Sequence, residues 1–89
     1  MIERETEIVN RLGLHARAAA KLVHTAGNFQ SRVTVAKDGE EADAKSILGI
    51  LLLAAGQGCT VTVRCEGQDE EQAMNAVTTL IANRFDEES

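Results

Sequence analysis

The chain has 89 residues, 44% of them hydrophobic, with two Phe and no Tyr or Trp, enough for one aliphatic core but not for stacking on nucleic-acid bases. Its formal charge of −5 and its lack of a basic recognition helix argue against DNA as a partner. No run approaches the ~20 apolar residues that would span a bilayer. Met1–Glu5 lacks a basic-then-apolar leader, so one cytoplasmic domain over residues 1–89, with no membrane partner, is expected.

In chain order, the first predicted element is a strand over Ile2–Val9. It sets Glu3, Glu5 and Glu7 on one face and Ile2, Thr6 and Ile8 on the other, as in an edge strand with a solvated side. Asn10–Leu14 is a loop leading to His15. Ala16–Ala26 has no Gly or Pro and five alanines, which predicts a strong helix burying Ala19, Leu22, Val23 and Ala26. Gly27-Asn28 supplies its stop. Val33 and Val35 alternate within a second strand, Arg32–Lys37, and Asp38-Gly39 is a two-residue hairpin signal leading to a short third strand, Glu40–Asp43. Ser46 is placed to cap a second helix from Ile47, closed by Gly56 and Gly58. Cys59–Glu66 alternates as a fourth strand. Asp69 followed by Gln72 resembles a capping box for a last helix whose stripe is Ala73, Val77, Leu80 and Ile81. The acidic tail, Asp86–Ser89, is expected to fray.

This order, β-α-β-β-α-β-α, predicts an α+β, two-layer open-faced sandwich: a four-stranded, mostly antiparallel sheet with three helices on one face. Cys59 and Cys65 share a strand face but lie roughly 20 Å apart at ~3.3 Å per residue. That exceeds the reach of a disulfide or of shared metal ligation, so both read as small buried hydrophobes.

Charge is uneven along the chain. Residues 8–37 hold Arg11, Arg17, Lys21, Arg32 and Lys37 with no acid, whereas residues 64–89 hold seven acids against Arg64 and Arg84. The block containing His15 is therefore expected to present a positive face that steers an anionic partner or phosphate. His15 itself sits where a helix begins, facing backbone N–H groups without intrahelical partners and the positive end of the macrodipole. Such a terminus is a cradle for phosphate, and Arg17 stands within a turn. A neutral imidazole nitrogen is a competent nucleophile near pH 7, given histidine's ordinary pKa of ~6.5, and needs no separate strong base. The plain alternative is a surface histidine that only caps the helix.

Gly13-Leu14-His15-Ala16-Arg17 and Lys45-Ser46-Ile47-Leu48-Gly49, about 30 residues apart, together resemble the HPr family. This is the histidine-containing phosphocarrier family of the bacterial phosphoenolpyruvate-dependent sugar phosphotransferase system. The resemblance spans essentially the whole chain, including the Asp38-Gly39 hairpin and Leu53-Ala54-Ala55-Gly56. It implies that His15 accepts a phosphoryl group from enzyme I and passes it to enzyme IIA domains, making the chain a stoichiometric carrier and not an enzyme. Arg17 would stabilise the phosphate. Ser46, which the plain reading makes a helix cap, would in many lineages also be phosphorylated by HPr kinase/phosphorylase, with a transcription regulator as a further partner. Neither cofactor nor metal is implied, and a monomer is expected.

Arg17, Lys21 and His24 fall on one helix face, which the resemblance makes an enzyme I docking face together with Ala16 and Ala20; otherwise it is a solvated polar row. Ile47–Ala55 has no polar side chain. Ile50 and Leu53 are expected in the core, with Ile47, Leu48 and Leu51 at least partly exposed as an apolar docking patch. One departure from the family pattern is Ala18, where proline is usual; alanine keeps helix propensity and restores an N–H, so the fold should survive while the geometry at His15 is left open. A second reading stays open beside the carrier: an HPr-like regulatory binding module, or a nitrogen-branch phosphocarrier, controlling transcription factors or metabolic enzymes. A third is a plain interaction domain that would form no labile phosphoryl adduct.

Overall fold

Val33 and Val35, and then Val61, Val63 and Cys65, alternate with polar residues, so one face of each strand must leave water. The computed structural model, which describes residues 1–89, closes that face with helices. The elements are β1 (Ile2–Glu7), α1 (Ala16–Gly27), β2 (Arg32–Lys37), β3 (Glu40–Asp43), α2 (Ile47–Leu52), β4 (Thr60–Glu66) and α3 (Glu70–Ala82). A 3₁₀ turn over Arg84–Asp86 follows. The sheet order is β1-β4-β2-β3 and every neighbouring pair is antiparallel, with Ile2 opposite Cys65, Val33 opposite Cys65 and Val35 opposite both Val63 and Ala42. This is the open-faced sandwich, with β1 at an edge as its acidic side requires.

Twenty-one buried residues form the core cluster, in which Ile8, Leu22, Ile50, Met74, Ile81 and Phe85 are the largest fully buried members from outside the sheet. Burying each such side chain contributes roughly 1.5–3 kcal/mol. α3 packs on β1 and β4, α2 on β3, and α1 lies against both α2 and α3. On the open face Arg64 bridges Glu3 of β1 and Glu41 of β3. The pairs are exposed and worth little singly, and they link side chains of three strands across the open face.

Several element ends differ from expectation. β1 stops at Glu7, because Ile8 leaves the ladder to exchange hydrogen bonds with the Gly58-Cys59 turn, its N–H donating to the Cys59 carbonyl at 2.8 Å. β4 accordingly starts at Thr60; Cys65 is buried but Cys59 only half-buried. α1 ends without a left-handed glycine: Asn28, at φ −76°, donates its N–H to the Thr25 and Ala26 carbonyls. Along α1 the fully buried residues are Ala18, Ala19, Leu22 and Ala26, with Val23 only partly covered. α2 ends at Leu52, well before the glycines. Ala54 takes the left-handed turn at φ 51°, and Lys37 caps the exposed carbonyls of Leu53 and Ala54 at 3.2 Å.

Asp69 makes no capping bond to α3. Its carboxylate instead accepts from the Gln30 and Ser31 N–H groups, each at 2.9 Å, and from the Ser31 hydroxyl, tying α3's start to the α1–β2 loop. Glu70, the first residue of α3, accepts from the Gly67 N–H at 3.2 Å and so fixes the turn that leads into the helix. The tail does not fray at its start. Phe85 is fully buried, and the three consecutive left-handed residues Arg84, Phe85 and Asp86 (φ 58°, 53° and 62°) turn the chain back towards α1.

Candidate functional site around His15

A helix start has to be approached by extended backbone, and His15 provides it at φ −76° and ψ 178°. Its carbonyl accepts from the Ala19 N–H at 2.8 Å, and its Nδ1 accepts from the Arg17 N–H at 3.3 Å. The loop before it is held on both sides. The Leu14 N–H donates to the Ala55 carbonyl at 2.9 Å, and buried Asn10 donates from Nδ2 to the Gly13 carbonyl at 2.8 Å. Gly13 has φ +68°, and a Cβ there would stand 2.6 Å from the Ala55 carbonyl oxygen and 2.7 Å from Gly56 Cα. Only glycine lets the loop pass that close.

The other face of the imidazole meets the chain's tail. Nε2 of His15 bonds to Oε2 of Glu87, while Oε1 of Glu87 accepts from Asn10 Nδ2 at 3.0 Å. The side chains of His15 and Glu87 are 28% and 16% exposed. The Asn10 hydrogen bond holds the Glu87 carboxyl below the usual carboxylate range; desolvation opposes it, and the contact with His15 and the charge of Lys21 add to it. An ionised carboxylate can only accept, so Nε2 carries the proton and Nδ1 keeps its lone pair towards the Arg17 N–H. Both acceptors on Asn10 Nδ2 fix that amide's orientation and leave its buried Oδ1 without a partner.

A shallow depression over the ring is lined by Arg11, Leu12, Ala16, Arg17 and Glu87. Arg11 and Arg17 are exposed and make no side-chain ion pair, so both are free to meet an anion. The rest of the basic block disperses. Lys21 donates to the Phe85 carbonyl at 2.7 Å, Lys37 caps α2, and Arg32 lies on the open sheet face opposite Glu66. The expected uniform positive face is thus two arginines with a carboxylate between the imidazole and the tail, because the fold, not sequence proximity, decides which charges meet.

Ala20, Lys21 and His24 line a second hollow on α1 together with Arg17 and Leu80. On α2, which packs against α1, Ser46 Oγ accepts from the Gly49 N–H at 3.2 Å and so caps the helix. Ile50 and Leu53 are buried, whereas Ile47 and Leu48 are 44% and 67% exposed and Leu51 is half-buried. Leu52 and Leu12 are also exposed, at 70% and 68%, and neither stood among the expected apolar contacts. Asn10, Phe85 and Glu87 were missed as well. The signal available for Phe85 was its spacing of four from Ile81, which extends the apolar stripe of α3 into the acidic tail.

The family described as "PTS HPr component phosphorylation site" matches residues 2–83. The chain is 56% identical to the phosphocarrier protein HPr of Cupriavidus necator over 98% of both chains. It is 43% identical to the phosphocarrier protein NPr of Shewanella violacea over 99% of this chain and 97% of that one. A crystal structure of HPr from Thermoanaerobacter tengcongensis superposes with a TM-score of 0.96 at 47% identity, over the full length of both. Sheet order, helix placement and these likenesses define a small phosphocarrier of the open-faced sandwich class. The chain belongs to the HPr family of the phosphotransferase system.

Proposed function

We propose that this protein carries a phosphoryl group on Nδ1 of His15, taking it from phospho-enzyme I and giving it to enzyme IIA domains. The observation that carries the reading is the polarity of the His15 ring: Nε2 is hydrogen-bonded to an anionic carboxylate and Nδ1 keeps its lone pair at the N-terminus of α1. In the forward step the Nδ1 lone pair forms the N–P bond while the bond from phosphorus to the donor breaks, its electron pair leaving with the donor. Onward transfer is the reverse: the N–P bond breaks, its electron pair returns to Nδ1, and the acceptor forms its own bond to phosphorus. The phosphoryl oxygens would meet the first-turn N–H groups and the Arg17 guanidinium. Exposed helix-terminus effects of ~0.3–1 kcal/mol suit a carrier that must also let go.

Arg17, Ala16, Ala20, Lys21 and His24 on α1, with Ile47, Leu48 and Leu51 on α2, form the docking surface in this account. A phosphate on Ser46 would add about two negative charges beside that patch and weaken docking by an acidic partner. The chain acts as a single cytoplasmic, monomeric domain and as a carrier without catalytic turnover of its own. The nitrogen-branch reading keeps the same chemistry with paralogous partners, and the likeness to a protein named NPr supports it. Chasing the labelled protein with purified IIA domains tests the role. Loss of the label to a IIA domain within the mixing time of a turnover assay is the expected result. Label that stays on the chain with both sugar-branch and nitrogen-branch IIA domains would count against a carrier.

A further inference from the structure

Two arginines from opposite ends of the chain, Arg11 and Arg84, meet beside the phosphoryl site. Arg11 stands at a corner of the Asn10–Gly13 turn, closed by the Gly13 N–H on the Asn10 carbonyl at 3.2 Å and by the buried Asn10 amide on the Gly13 carbonyl at 2.8 Å. Arg84 opens the left-handed turn after α3 at φ 58°, a conformation that glycine or asparagine holds with less strain. It is fixed there because the next residue, Phe85, is fully buried and because its own carbonyl accepts from the Glu87 N–H at 2.9 Å. Both side chains therefore start from well-held backbone.

The two arginines line one hollow, whose other walls are Val9, Gln57, Glu88 and Ser89. Gln57 pins its rim by donating from Nε2 to the Val9 carbonyl at 3.3 Å. Arg11 and Ser89 also line the depression over His15, so the two hollows adjoin. The hollow shares no residue with the one on α1 that holds Lys21 and His24. Arg11 and Arg84 are both exposed, and neither enters an ion pair. In a chain of net charge −5, two unpaired cations at one spot make a local positive patch that an anionic surface gains by covering.

Resting on the phosphocarrier reading, we infer that Arg11 and Arg84 form a cationic rim that docks an acidic surface of the protein exchanging its phosphoryl group with His15. Any such partner must come over the His15 depression to reach Nδ1, and the rim is continuous with that depression through Arg11. A guanidinium presents a planar fork to carboxylates, and exposed charges of this kind act on encounter and partner choice more than on raw affinity. A lone small anion is a poor occupant, because Glu88 lines the same hollow; several carboxylates on one partner surface outweigh that single acid.

The test is steady-state phosphoryl transfer from phospho-enzyme I to the full chain, and from the phosphorylated chain to a purified IIA domain, with variants at both arginines. At low salt Arg84→Glu should raise KM about tenfold with at least one of the two partners while kcat stays within about twofold of native. Arg84→Gln and Arg11→Gln should each give a smaller rise, and Arg84→Lys should stay close to native. The differences should close at about 1 M salt, where the Debye length is about 3 Å. Phosphoramidate, an inorganic donor with no docking surface, should label His15 equally in native and Arg84 variants, which a disturbed tail would not allow. An unchanged KM with both partners in Arg84→Glu, or a rise that salt does not remove, overturns the inference while leaving the carrier reading intact. A native chain that phosphoramidate labels but phospho-enzyme I does not would fail the carrier reading, and the inference with it.

Discussion

At the scale of single residues, the site depends on one backbone conformation and one buried side-chain amide. Gly13 occupies φ +68° with its Cα side pressed on the Ala55 carbonyl, and this sets where His15 enters α1. Gly13→Ala should cost roughly 2–3 kcal/mol of stability, from positive-φ strain plus the overlap, read as a lower urea midpoint. A loss below about 0.5 kcal/mol, the scale of an ordinary surface change, would mean the loop relaxes and the close approach is not required. Asn10 supplies the amide: its two donated hydrogens join the loop carbonyl of Gly13 to the tail carboxylate of Glu87. His15 was legible in the sequence because its chemistry is intrinsic and its neighbours Gly13 and Arg17 are local. Asn10 and Glu87 were not, because a polar residue in a loop and an acid in a charged tail look the same whether they are solvated or paired across the molecule.

Among the elements, caps divide into those a local pattern predicts and those it does not. Ser46 caps α2 as its position before an apolar run demands, and Ser46→Ala should cost about 1 kcal/mol, measured by thermal or urea unfolding. Asp69 looked equally suited to cap α3, but its carboxylate is taken by Ser31 and Gln30, thirty-nine positions earlier in the latter case, and tertiary contact overrides the local preference. The Ser31 hydroxyl first and the Gln30 N–H next hold the Asp69 carboxyl below its ordinary range, against desolvation. Glu87 is held low as well, chiefly by Asn10.

For acids depressed in the folded state, the unfolded chain binds protons more readily as the pH falls. The stability they contribute is therefore fully present above the ordinary carboxylate range of about 4 and is lost as pH falls through the depressed folded values. Denaturant midpoints should drop as the pH falls below about 4, with a shallower drop in Asp69→Asn. A profile for that variant parallel to the native one would remove Asp69 from the account.

Over the whole molecule, the four strands and three helices were readable because alternation in the strands and the 3.6-residue stripes both select one buried face. The turn after α3 was not readable, since three left-handed residues without glycine have no local signature and exist only because Phe85 fills the core. Phe85→Ala should therefore cost about 3–5 kcal/mol and also release Glu87 from His15, visible as a change in the ring ¹⁵N signals. Leu48, by contrast, is 67% exposed, so Leu48→Asp should leave the unfolding midpoint within about 0.5 kcal/mol of native while slowing phosphoryl exchange with partners. The most direct measurement of the carrier chemistry is intact mass after incubation with enzyme I and phosphoenolpyruvate, before and after brief acid treatment, with His15→Ala alongside. The account predicts one acid-labile phosphoryl adduct on the native chain and none on the variant. An equal adduct on His15→Ala, or no adduct where a control HPr is labelled in the same mixture, would contradict it.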